Sequence, residues 1–285
     1  MPATTITNEC LGEFFISNGK GKPAEKFDNN FLYSGTSFYE VLKVKEKIPL
    51  FLEDHLERLT ISLRESNTGV APPLHLIIEN IELLIDLNPS VYEGNIRLIL
   101  HFPAKLHDGS HIYVYYIPHR YPSTEERAHG VPLVMIKAER KHVHSKIIDL
   151  DFRRTVNQKI INANAWDALL VDSKGFITEG SKSNFFLIIE NNILTPPEKD
   201  VLPGITRKHI FELCYRTGIE IKEEKIASGR LESSASCFIS GTSPGLLAVR
   251  NIGPFFFNAG NPLLEKLTHE YELLVHQYIS NKKRI

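Results

Sequence analysis

The chain has 285 residues, enough for two domains that share an interface. Its 42% hydrophobic and 24% charged residues are those of an ordinary soluble globular protein, and 33 Lys and Arg against 34 Asp and Glu leave a formal net charge of -1. No global field then favours nucleic acid or an anionic membrane, so any bound phosphate must be held by a local site.

Cys10, Cys214 and Cys237 are scattered and odd in number, which fits neither a disulfide framework nor a CxxC metal site and implies a reducing, cytoplasmic setting. Residues 1–9 lack a basic region followed by an apolar run, and no apolar stretch reaches the roughly 18 to 20 residues of a membrane span. A soluble, unprocessed protein is expected.

Residues 12–17 predict a strand, Asn18-Gly19 a hairpin turn and residues 20–24 the return. In the strand 37–45, Phe38, Leu42 and Val44 share one face while Tyr39 points to the other, free to face a pocket. Residues 48–52 follow as a partner strand. A helix then begins at Glu53-Asp54, with Leu56, Leu59 and Leu63 at helical spacing and His55 and Arg58 neighbours on its surface. Pro72-Pro73 interrupt before an apolar helix over 74–87. The strand 94–102 puts Ile96, Leu98, Leu100 and Phe102 on one side and Arg97, Ile99 and His101 on the other. Another strand covers 110–117, and residues 119–130, polar and without periodicity, read as the interdomain connection.

The second half opens with a strand at 131–138 and a basic segment at 140–146, then a helix over 150–164 and strands at 167–171 and 184–189. The last of these is apolar on both faces and therefore central. Further strands fall at 219–226, 237–240 and 246–252, a helix at 263–279, and a solvated basic tail at Lys282, Lys283 and Arg284. Strands in each half with helices inserted argue for two α/β domains, with boundaries at 1–122, a linker at 123–130, and 131–285.

Residues 168–207 organise the rest. Two apolar strands flank the polar loop Thr178-Glu179-Gly180-Ser181-Lys182-Ser183-Asn184, and Leu202-Pro203-Gly204-Ile205-Thr206-Arg207 opens a helix. A carboxylate on a tight loop and a helix N-terminus can both hold a charged ligand, so the stretch reads as half of a cofactor site.

The segments FITEGSKSNFFLI (176–188) and LPGITR (202–207), with FLEDHLERL (51–59) and SGTS (240–243), resemble the fold-type IV pyridoxal-phosphate enzymes. That family includes branched-chain aminotransferases, D-amino acid aminotransferases and 4-amino-4-deoxychorismate lyases. The resemblance runs from Gly35 to about Ile252 and implies an α/β (α+β) architecture with a small N-terminal domain and a larger C-terminal cofactor-binding domain. It implies pyridoxal 5'-phosphate as cofactor, with Glu179 on the pyridine nitrogen and the phosphate held by Arg58, the amides of Ile205 and Thr206, and Thr242.

The family places the cofactor-bearing lysine roughly thirty residues before the glutamate. Lys146 lies 179 − 146 = 33 positions ahead, with Arg140 upstream of it as in the family, whereas Lys159 lies only 179 − 159 = 20 ahead. Lys146 is therefore the expected catalytic residue, although Asp149 stands where the family usually has Asn. Tyr39, Arg97, Lys182 and the Thr242-Ser243 amides are candidates for the substrate carboxylate; Arg97 and His101 do not reproduce the arginine-and-histidine trap of D-amino acid enzymes.

The resulting expectation is a transaminase for amino acids and 2-oxo acids, acting as a homodimer with its sites at the subunit contact. The alternatives are a lyase releasing pyruvate and 4-aminobenzoate, and a degenerate member that keeps only the fold. His142 and His144 lack a third ligand at metal spacing, so no metal is expected, and neither a GxSxG elbow nor a P-loop occurs.

Overall fold

The computed structural model describes residues 9–66, 72–104, 109–234 and 236–284, so the leader-free reading of residues 1–9 falls almost wholly outside it. The chain divides into two compact units. One runs to His119 and adds Ser145–Ile148 and the segment from Tyr278; the other comprises Arg120–His144 and Asp149–Gln277.

The first unit contains β1 (Leu11–Ser17), β2 (Lys20–Pro23), β3 (Thr36–Lys45), β4 (Ile48–Pro49), α1 (Leu52–Ser66), α2 (Leu74–Leu87), β5 (Gly94–Phe102) and β6 (His111–Ile117). Among the described residues its strands form an antiparallel sheet ordered β2-β1-β6-β5-β3-β4. Asn18 and Gly19 take φ of 49° and 75°, the two positive values that a two-residue hairpin needs to follow the strand twist.

Period-two alternation divides this sheet into two apolar faces. Phe38, Leu42, Val44, Ile96, Leu98 and Leu100 pack under Leu56, Leu59 and Leu63 of α1 and Ile77, Ile81 and Leu84 of α2. Each fully buried aliphatic side chain contributes roughly 1.5–3 kcal/mol. Tyr39, Ile99, Tyr115 and Ile117 form the other core with Phe15 and Phe27. Tyr39 is therefore buried in an aromatic cluster of its own unit.

The two-residue β4 covers only the Val44-Lys45 end of β3. The other end of β3 would leave main-chain groups unpaired, and residues 145–148 satisfy them. Tyr39 N–H donates to Lys146 O at 2.9 Å, Ile148 N–H to Ser37 O at 3.0 Å, and Phe38 pairs with Ile147 as an antiparallel bridge.

The second unit contains α3 (Thr124–His129), β7 (Val131–Lys137), α4 (Leu150–Asn162), β8 (Asp167–Val171), β9 (Phe176–Gly180), β10 (Asn184–Ile189), β11 (Asn192–Thr195), α5 (Ile205–Thr217), β12 (Glu220–Glu223), β13 (Ile226–Ala227), β14 (Ser236–Gly241), β15 (Gly245–Ile252), β16 (Phe255–Phe256) and the start of α6 (Pro262–Lys282). Among the described residues the strand order is β12-β11-β10-β14-β15-β7-β8-β9-β13, with β16 on β15. β10 is central and covered on both faces: Phe185 and Leu187 enter the main core while Phe186 stacks on Phe238 at 4.6 Å.

Four local expectations change. Residues 123–130 hold α3, started by a capping box in which Glu126 N–H donates to Ser123 Oγ at 3.1 Å and Ser123 N–H to Glu126 Oε2 at 2.9 Å. A six-residue helix is too short to show a period. Glu179 lies on strand β9 rather than in a loop, because the buried positions Ile177 and Glu179 alternate along one face. Residues 219–226 split into β12, parallel to β11, and β13, antiparallel to β9. The basic tail is not simply solvated: Lys282 pairs with Glu53 and Lys283 with Glu46.

Candidate active site

In the second unit the site is built around Glu179, whose side chain is almost wholly buried. Arg140 Nε donates to its Oε1 at 2.6 Å and Leu202 N–H to its Oε2 at 3.1 Å. Burial pushes the Glu179 carboxyl up; the Arg140 cation and the Leu202 amide oppose this only in part. A carboxylate offers about four acceptor sites, of which Arg140 Nε and Leu202 N–H take one on each oxygen. Arg140 also donates to Ser181 O and lies over the Phe152 ring at 5.6 Å.

The loop after β9 folds around Asp167, a buried carboxylate at the start of β8. Its Oδ1 accepts from Ser181 Oγ at 2.5 Å and Ala168 N at 2.8 Å, and its Oδ2 from Ser183 Oγ at 2.7 Å and Lys182 N at 3.2 Å. A Cβ on Gly180 would collide with Ser183 Oγ, so the close turn needs glycine.

Leu202 links this loop to α5. While its N–H holds Glu179, its carbonyl accepts from Asn184 Nδ2 at 2.9 Å, and Asn184 Oδ1 stands where a Cβ on Gly204 would lie. Gly204 is the N-cap of α5 and supplies no side-chain cap, so the first amides, at Ile205 and Thr206, form a donor-rich helix start. Thr206 is buried against Tyr271, whose phenol burial pushes up to about 12 despite a hydrogen bond with Thr206. Thr242 and Ser243 are half-buried in the turn between β14 and β15, and β14 pairs with β10 through Ser240 and Asn184. Glu179, Ile205, Thr206 and Thr242 thus share one hydrogen-bonded framework within this unit. Lys182 is exposed on its rim, and Lys159 is exposed on α4.

In the first unit a buried cluster joins β3, α1 and residues 145–148. Glu40 accepts from Arg58 Nε at 2.9 Å and Arg58 Nη2 at 2.5 Å, and pairs with His55 Nδ1 at 2.7 Å. Lys146 Nζ stands 5.1 Å from the centroid of the Tyr39 ring and contributes to the positive field on Glu40. Burial works against the Glu40 charge, yet Arg58, Lys146 and His55 together hold its carboxyl well below the usual range. Burial also lowers His55, against the pull of Glu40, so His55 stays neutral at pH 7. Arg97 shares this sheet but is turned to Glu9, with its guanidinium 5.9 Å from the Tyr115 ring.

Glu40, Asp167 and Asn184 are residues in these frameworks that carry no role in the sequence reading. Glu40 had a legible signal, since it occupies the apolar face of β3 between Phe38 and Leu42, where a charge needs a partner. The other two offer none, because their partners are set by loop geometry.

Fitness for pyridoxal phosphate can be judged from these donors. Within the second unit, a buried carboxylate and an uncapped helix start cradled by Gly204 suit a pyridinium ring and a phosphate. Among the described residues no cluster of three or more His, Cys, Asp or Glu is arranged to hold a metal, and no helix is long and apolar enough to cross a membrane.

Residues 37–252 match the family profile described as amino-transferase class IV. The chain belongs to that family. It is 26% identical over 237 residues to a D-alanine aminotransferase of Bacillus licheniformis, covering 80% of this chain and 83% of the relative. A branched-chain-amino-acid aminotransferase-like protein 2 of Arabidopsis thaliana is 26% identical over 260 residues, which are 86% of this chain but 46% of that protein; the chain thus spans under half the length of this relative.

Among solved structures, the Escherichia coli branched-chain amino acid aminotransferase superposes with a TM-score of 0.82 at 20% identity, covering 93% of this chain and 95% of that one. A second branched-chain amino acid aminotransferase, complexed with N-(5'-phosphopyridoxyl)-L-glutamate, gives 0.81 at 19%, covering 94% and 96%. A putative 4-amino-4-deoxychorismate lyase of Legionella pneumophila gives 0.74 at 24%, covering 86% and 91%. This class IV chain therefore has the mixed α/β fold of the fold-type IV aminotransferases.

The Glu179 shift has a measurable sign. Its folded value is raised, so the stability it contributes is full below the unfolded value and lost as pH rises through the folded one. Above the folded value the charge opposes folding, and Glu179→Gln keeps the shape, removes the charge and leaves Arg140 its bond to Ser181 O. Calorimetry is expected to show a Tm equal to or above that of the parent; a fall of several degrees contradicts this account.

Proposed function

We propose that this chain is a pyridoxal-phosphate-dependent transaminase that moves an amino group between an amino acid and a 2-oxo acid. The observation that carries the reading is the buried Glu179 carboxylate, tied through Leu202 to the uncapped start of α5 in a chain of the class IV family. The fold likeness to an enzyme complexed with N-(5'-phosphopyridoxyl)-L-glutamate supports the choice of cofactor.

When bound, pyridoxal phosphate supplies an electron sink for charge developing at the substrate α-carbon. Glu179 would accept the hydrogen bond of the ring N–H, with Arg140 countering part of the burial that disfavours the carboxylate charge. The Ile205 and Thr206 amides and Thr242 would hold the phosphate, with Arg58 as the proposed cation for its charge. Lys146 would hold the cofactor covalently through its amine and would serve as the base that moves the proton at the substrate α-carbon. Lys182 and Ser243 would receive the substrate carboxylate, and Tyr39 and Arg97 would do so only on leaving the aromatic cluster and the Glu9 carboxylate that hold them. A cytoplasmic homodimer with its sites at the subunit contact completes the reading.

The second reading is the lyase, favoured by the likeness to the Legionella structure. One assay separates the two: L- and D-amino donors with 2-oxoglutarate or pyruvate, and aminodeoxychorismate in parallel. Keto-acid-dependent amino transfer is expected, with Glu179→Gln lowering it by about a hundredfold or more through the loss of a fixed charge at the ring nitrogen. Release of 4-aminobenzoate without amino transfer overturns the transaminase reading.

A further inference from the structure

Helix α1 starts in an unusual way. The residue before it, Phe51, is buried with φ of 53°, a left-handed conformation that a bulky aromatic side chain rarely adopts. Its carbonyl accepts from His55 N–H at 3.2 Å, which makes Phe51 the N-cap, yet its side chain has no oxygen with which to cap. The missing acceptor comes from a residue 226 positions away. Leu52 N–H donates to the Tyr278 hydroxyl at 3.2 Å, and that hydroxyl donates to Glu53 Oε2 at 2.7 Å. The Tyr278 ring packs on Phe51 with centroids 5.0 Å apart, and Lys282, one turn later, pairs with the other oxygen of Glu53.

We infer that Tyr278 is a positioning residue that caps α1 and thereby fixes the phosphate-facing cluster carried by that helix. Only the first turn of α1 separates the cap from His55. His55 holds Glu40, and Glu40 holds both the Nε and Nη2 of Arg58. Fraying of that turn displaces His55 first and loosens the fork that orients Arg58. The strained Phe51 backbone persists because the Tyr278 ring and hydroxyl over-determine it. The functional half of this inference rests on the cofactor reading.

The test is Tyr278→Phe in the full chain, which keeps the ring on Phe51 and removes only the hydroxyl, with Lys283→Ala as control because Lys283 pairs with Glu46 outside α1. Pyridoxal phosphate binding to the apoprotein, followed by fluorescence, is expected to weaken about fivefold, the scale of one lost cap, with kcat at saturating cofactor unchanged. The Leu52–His55 amides are expected to exchange faster in the variant, and Lys283→Ala to behave as the parent in both measurements. Equal cofactor affinity in parent and Tyr278→Phe overturns the positioning role while leaving the cofactor reading intact. A parent that does not bind pyridoxal phosphate overturns the cofactor reading and the functional half with it. Should the variant not fold, exchange in the parent decides: a slow Leu52 amide supports the cap, and a fast one overturns it.

Discussion

Lys146→Ala is expected to lose amino transfer by about a thousandfold or more, because it removes both the nucleophilic amine and the group that moves the proton. The protein is also expected to lose its borohydride-fixable attachment of cofactor, read by peptide mass after reduction. The Lys146 backbone closes the open end of β3, and its ammonium stands beside the Tyr39 ring in the field of Glu40. Lys159 is exposed on α4, so Lys159→Ala is expected to retain activity and attachment. A Lys146→Ala protein whose cofactor is still fixed by borohydride would sink the assignment.

Glu40→Gln is expected to be the most damaging single change to stability. Removing one partner from a buried ion pair strands the other, and costs about 3–5 kcal/mol. For a chain of this size that corresponds to a Tm lower by roughly 5–8 °C. The pH dependence follows from the lowered folded value of Glu40. Its contribution is present above the unfolded carboxylate range and is lost as pH falls through the folded value. The gap between parent and Glu40→Gln in calorimetry should therefore hold from pH 5 to 8 and close only in strong acid. His55 adds to acid sensitivity in the parent, since its lowered folded value makes its stability contribution full above the unfolded histidine value and lost as pH falls. Equal Tm values for parent and variant at pH 7 would show that the cluster contributes nothing.

Both experiments address residues of one cluster that the sequence disclosed unevenly. His55 and Arg58 were legible as neighbours because helical spacing is local. Their common partner lies 18 positions before Arg58 on a strand, and nothing in a linear pattern says that β3 packs under α1. The odd charge in the apolar row Phe38, Glu40, Leu42, Val44 was the available clue. Glu179 shows a different limit: the motif identified the residue, while its place on β9 emerged only from pairing with β8 and β13.

What the sequence by itself determined is whatever depends on neighbours a few residues apart. The bounds of α2, β5, β8 and β10, the Asn18-Gly19 turn and the two faces of β5 follow from periodicity and turn chemistry, and the structure has them where expected. The motifs that resemble a known family were equally local, and the family match followed from them. Only the tertiary structure decided that residues 145–148 complete the first unit, that Asp167 gathers the loop after β9, and that Tyr278 caps a helix 226 positions upstream. The physical reason is common to all three. Unpaired main-chain groups and buried charges must find partners, and the partner is chosen by which surfaces packing brings together, not by distance along the chain.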